Sequence, residues 1–97
     1  MTLTVILRPR AEDDIRVAYQ WYEAQQVGLG EDFLARLRRS LLHAAEFPES
    51  SPVIYKSVRR CVVTRFPYLA FYLSEPTRIL VLAVLHTSRD PATWPHR

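Results

Sequence analysis

The sequence predicts an α+β domain, β-α-α-β-β-β, in which a helical hairpin packs on a small antiparallel sheet. Three observations lead there. Residues 9–46 place apolar groups at helical spacing in two stretches separated by Gly28 and Gly30. From Val53 onward the period becomes two. The β-like runs that follow are joined by links of only a few residues, marked by Pro67 and by Glu75-Pro76, and links that short make neighbouring strands antiparallel. Helices gathered in one half and strands in the other give a layered α+β architecture. Ninety-seven residues make one domain, 1–97, with a modest core.

Each element has a local reason. Thr2 to Leu7 is β-branched and apolar and reads as a strand. Pro9 suits a first helical turn, and Glu12, Asp13 and Asp14 suit the positive end of a helix. Ala11, Ile15, Ala18 and Tyr22 then form one stripe, widened by Tyr19 and Trp21. Glu31 and Asp32 open a second helix whose apolar face is Phe33, Leu34, Leu37, Leu41, Ala44 and Ala45, with Arg36, Arg38 and Arg39 pointing largely elsewhere. Pro48 ends it, and residues 49–52 form a loop. The brief link between the helices makes them an antiparallel hairpin.

Val53-Ile54-Tyr55-Lys56 is compatible with a short strand. In the run that follows, Arg60, Val62, Thr64 and Phe66 share one face, and Cys61, Val63 and Arg65 the other. Pro67-Tyr68 starts a tight turn, Leu69 to Leu73 is the next strand, and residues 74–77 turn again. Ile79 to Leu85, apolar on both faces, reads as a central strand.

Composition narrows the function classes. Hydrophobic residues are 48% and charged residues 24%, ordinary for a soluble globular protein. The longest apolar run is far too short to span a bilayer, and MTLTVILRPR reads as a strand rather than a signal peptide, so the expected location is the cytoplasm. Cys61 is the only cysteine, which excludes an intrachain disulfide and a thiolate metal cluster; it reads as a small, half-buried hydrophobe. The net charge of +3 is uneven, with −2 on residues 1–51 and +5 on residues 52–97. A basic back half fits an anionic partner, either nucleic acid or an acidic peptide.

Nothing resembling a phosphate loop, HExxH, CxxC or GxSxG occurs, and no metal or other cofactor is expected. Of the three histidines, His43 lies in the second helix, His96 near the end, and His86 closes the central strand with Arg89 three residues on. Metal-free RNA cleavage needs a base, an acid and cations around the phosphorane, and Arg65, Tyr72, His86 and Arg89 are the right types.

The series Arg60, Arg65-Phe66-Pro67-Tyr68, Phe71-Tyr72, Leu82-Ala83-Val84-Leu85-His86, Arg89-Asp90-Pro91 and Trp94 resembles the signature of the ParE/RelE superfamily of type II toxin–antitoxin modules, in its ParE-like branch. Ala11-Glu12-Asp13-Asp14-Ile15 resembles the family's opening of the first helix, Tyr19-Gln20-Trp21-Tyr22 its aromatic stretch, and Glu46-Phe47-Pro48 its end of the second helix. The resemblance runs nearly end to end. It implies the same fold, a cognate antitoxin that wraps the toxin, and DNA contact only through that antitoxin. RelE-like members cut messenger RNA on the ribosome with basic residues and a terminal Tyr; the corresponding positions here fall near Leu69, Thr87 and Thr93, and Lys56 is the only lysine. ParE-like members instead inhibit DNA gyrase without a catalytic site. The resemblance therefore implies a plasmid-stabilisation type toxin that binds rather than cuts. A ribosome-dependent nuclease is the alternative, and a non-toxic antitoxin-binding relic a further one. Arg60, Arg65, Tyr72, His86 and Arg89 are the expected contacts with antitoxin or target.

Overall fold

The computed structural model describes residues 2–88; Arg89, Asp90, Pro91, Trp94 and His96 lie outside the described residues. Along the chain come β1 (Thr4–Leu7), α1 (Pro9–Gln25), α2 (Leu29–Glu46), a single 3-10 turn (Pro48–Ser50), β2 (Val53–Tyr55), β3 (Val58–Val63), β4 (Tyr68–Ser74) and β5 (Arg78–His86). The strands form one sheet in the order β1-β5-β4-β3-β2, with both helices on one face.

From β2 to β5 the sheet is the antiparallel meander that the short links predict. The expectation of a wholly antiparallel sheet fails at β1, which pairs parallel with β5 from Thr4↔Arg78 to Leu7↔Val81. Between these two strands lie the helical hairpin and three strands, a connection long enough to bring the chain back in the same direction. Val53–Tyr55 is a full member of the sheet and its second edge, so the strands number five. β5 is flanked by strands on both sides, as its two apolar faces predict.

The helix-facing layer is one core. Ala11, Ala18 and Tyr22 from α1, and Phe33, Leu37, Leu41, Ala44 and Ala45 from α2, meet Val63, Ala70, Tyr72, Ile79, Val81 and Val84. These are the apolar helical stripes read from the sequence, with Ile15 and Leu34 packed at their margins. On the opposite face Val58, Phe71, Ala83 and Leu85 form a second cluster. Alternation along β5 is broken once: Phe71 pairs with Ala83 but Tyr72 pairs with Val81, so Leu82 is an extra residue in a β-bulge.

Phe66 departs from the expected pattern. β3 ends at Val63, and Arg65 adopts φ 71°, a left-handed conformation uncommon for a residue with a Cβ. The chain turns there, and Phe66 joins the helix-facing core instead of sharing a face with Arg60 and Val62. Tyr68, expected in the turn, is already the first residue of β4.

The helix–helix link is built around a carboxylate. Glu23 accepts hydrogen bonds from the amides of Gly28 and Gly30, each at 2.9 Å, and so satisfies donors at the start of α2 that have no partner within the helix. Gly28, at φ 92°, takes a conformation that costs any other residue energy. A Cβ on Gly30 would stand 2.8 Å from the Tyr19 ring, and the Tyr19 hydroxyl donates to Glu31 across the same joint.

Candidate functional site

Among the described residues, those expected to form a contact surface are dispersed by the fold. Tyr72 is 0% exposed; its hydroxyl donates to the Pro48 carbonyl at 2.9 Å and ties β4 to the turn after α2. Burial pushes its phenol above the usual value. In this arrangement Tyr72 is a core residue whose hydroxyl is engaged within the chain. Arg60 is half-buried and pairs with Phe71, on the sheet face away from the helices. Its neighbour Arg59 lies on the helix side, where the guanidinium donates to the Ser51 carbonyl.

Arg65 and His86 come to the same end of the sheet. β3 and β4 are joined there by the turn that carries Arg65, Tyr68 pairs with His86, and the Thr87 amide donates to the Pro67 carbonyl. They nevertheless face different hollows. Arg65 borders a cavity of about 410 Å³ beside α2. His86 borders one of about 460 Å³ beside α1, with Val17, Trp21, Tyr22, Pro67 and Tyr68. The His86 Nδ1 accepts a hydrogen bond from the Ser88 amide at 3.0 Å and lies 2.9 Å from the Ser88 hydroxyl. Accepting from an amide fixes the neutral ring as its Nε2–H tautomer. Arg89 lies outside the described residues.

Between the two hollows stands an aromatic cluster. Tyr22 meets Phe33, Phe66 and Tyr68 at centroid separations of 5.5, 4.9 and 6.1 Å. Phe33 meets Phe66 at 5.4 Å and Tyr68 at 5.2 Å. Most of these contacts are edge-on, the geometry that aligns ring edge with ring face. The Phe66-Pro67-Tyr68 motif thus belongs to the scaffold. Trp21 of the early aromatic stretch does not; it is 58% exposed at the lip of the His86 hollow.

Two contributors escaped the sequence reading. Arg36 and Arg39 project from α2 into the cavity that Arg65 borders. The ion pairs among the described residues join Arg10 to Asp14, Arg16 to Asp13 and Arg78 to Glu75, which leaves these three guanidinium groups unpaired. Arg36 and Arg39 lie one helical turn apart, a signal the sequence did contain; that Arg65 joins them depends on the turn at its own backbone. Cys61 is half-buried, and burial pushes its thiol from 9.0 up to about 11, so it is a packing group and not a nucleophile near neutral pH. Among the described residues no cluster of His, Cys, Asp and Glu could hold a metal ion, and no helix is long and apolar enough to cross a membrane.

No curated protein matches the chain. A solved structure described as the chromosomal ParDE TA system from P. aeruginosa is similar in fold, with a TM-score of 0.68 at 17% identity over 88% of this chain and 96% of that one. The family model described as the ParE toxin of type II toxin–antitoxin system, parDE, matches residues 5–91, from the first strand to Pro91. Two helices on a five-stranded mixed sheet are the fold of that solved structure too, and with the family model matching nearly the whole chain the conclusion is plain: the chain belongs to the ParE toxins of type II toxin–antitoxin systems.

Proposed function

We propose that this protein is a growth-arresting toxin that acts in the cytoplasm by binding DNA gyrase, is held inactive by a cognate antitoxin, and catalyses no reaction of its own. The observation that carries this reading is the family match over residues 5–91, supported by the separation of Tyr72, His86 and Arg65, the candidate nuclease groups among the described residues. Tyr72 is enclosed and engaged with Pro48. His86 has one ring nitrogen committed to Ser88 and faces a different hollow from Arg65. General acid–base cleavage of RNA needs its base, acid and cations around one phosphate, and the described residues supply no such convergence. Leu69 is apolar and turned into the second cluster, where a nuclease would want a cation.

Expression in a host, with and without the antitoxin encoded beside it, tests the reading in cells. The expected result is growth arrest with induction of the DNA-damage response, relieved by the antitoxin, and with messenger RNA intact by primer extension. Codon-linked cuts in messenger RNA would replace this reading with the ribosome-dependent nuclease. Unimpaired growth would replace it with a non-toxic antitoxin-binding protein.

A further inference from the structure

Arg36, Arg39, Ser40 and His43 recur along one flank of α2. Two hollows run side by side against that flank. The first, about 410 Å³, is bordered by Arg36, Arg39 and Arg65, with Leu29, Phe66 and Asp32 also in its lining. The second, about 420 Å³, is bordered by Arg39, Ser40, His43, Ser50 and Val62. Arg39 borders both, so the two hollows adjoin along α2 at its side chain, and together they are called the groove below. From Arg36 to His43 the helix rises roughly 10 Å, enough for about three residues of extended chain.

The lining specifies a ligand. Three guanidinium groups without a carboxylate among the described residues repel one another, and anions placed between them remove that repulsion while accepting paired hydrogen bonds. Leu29 and Phe66 give the first hollow an apolar part beside its arginines, so the ligand carries apolar as well as acidic groups. Asp32 selects further. A phosphodiester backbone brings only negative charge past that carboxylate, whereas a polypeptide can set a basic side chain or an amide N–H against it.

We propose that this groove docks an acidic segment of the antitoxin, its carboxylates on Arg36, Arg39 and Arg65 and an apolar side chain between them on Leu29 and Phe66. The proposal rests on the reading of this chain as an antitoxin-neutralised toxin, and it adds Arg36 and Arg39 of α2 to Arg65, the one member of the groove expected from sequence.

Isothermal titration of the purified chain with the purified antitoxin, at low and high salt, tests it. Arg36→Ala/Arg39→Ala should weaken binding at least about 30-fold and Arg65→Ala about 10-fold, with a shallower salt dependence in both. Arg16→Ala, which removes a cation from the other helix, should stay within about threefold, as expected of an exposed pair. Amide exchange on the wild-type complex should show new protection across residues 29–43 and 64–66, a readout that needs no variant. Wild-type affinity in the double variant, or no protection along α2, overturns the groove while leaving the toxin–antitoxin reading intact. Absence of any complex between the wild-type proteins overturns that reading and the groove with it. Displacement of the antitoxin by a duplex DNA or RNA oligonucleotide held on the same three arginines overturns the peptide occupant.

Discussion

The Asp14 carboxylate accepts a hydrogen bond from the Val84 amide at 3.0 Å, across 70 residues of chain. β1 pairs with β5 only as far as Val81, so Val84 lies beyond its reach, and α1 supplies the acceptor there. Asp14 also lies 3.8 Å from the Arg10 guanidinium. Asp14, one of the acidic residues that open the first helix, is thus a clamp between that helix and the central strand.

Replacing Asp14 by Ala should leave the Val84 amide without its acceptor and destabilise the fold by about 1–3 kcal/mol. Asp14→Asn, which keeps an acceptor oxygen, should lose less. Thermal unfolding measures both, each kcal/mol corresponding to roughly 4–8 °C in a domain of this size.

The helix hairpin makes a second prediction. Gly30→Ala drives a Cβ against the Tyr19 ring and the Glu23 carboxylate, and should cost about 1–3 kcal/mol. Gly28→Ala has open space around its Cβ but a positive φ, and should cost about 1–2 kcal/mol through the backbone alone. Removing the ring with Tyr19→Ala should recover part of the loss in the first variant and none in the second, which a double-mutant cycle by denaturant unfolding resolves.

What the sequence made legible follows the physics of periodicity. The apolar stripes of both helices follow from spacing, their boundaries from proline and glycine, and the two-sided burial of β5 from an unbroken apolar run. The parallel pairing of β1 was not legible, since pairing across such a long connection is decided by tertiary packing. The side of Phe66 was lost for a different reason: one residue with positive φ resets the alternation, and Arg65 is not a residue type that announces it. The candidate site suffered the same limit. Arg65 and His86 do reach one end of the sheet, but residue types could not reveal that Tyr72 points into the core. Nor could they reveal that the partners of Arg65 come from α2.

Tyr72→Phe separates a structural role from a contact role. Loss of the bond to Pro48 should cost about 0.5–1.5 kcal/mol in unfolding experiments. Antitoxin affinity should stay at the wild-type value, because the hydroxyl is spent inside the protein.

Cys61 gives the fold a pH dependence on the alkaline side. Its thiol titrates near 9.0 when unfolded and about 11 when folded, because burial disfavours the thiolate. The unfolded chain therefore releases its proton first, so the stabilisation is complete below about pH 9 and is lost as the pH rises toward about 11. Tyr72, raised for the same reason, acts in the same direction. Cys61→Ala should flatten the alkaline slope of the melting temperature, and alkylation of the native thiol should stay slow until the pH approaches 11.

A gyrase assay reaches the central claim, that this ParE-family chain acts by binding and not by cutting, most directly. Purified protein is titrated into DNA gyrase with relaxed and supercoiled plasmid, and the products are resolved after detergent and protease treatment. The expected result is loss of supercoiling with accumulation of gyrase-linked double-strand breaks, both reversed by the antitoxin. Unchanged supercoiling and no trapped breaks at high molar excess of the toxin would contradict it.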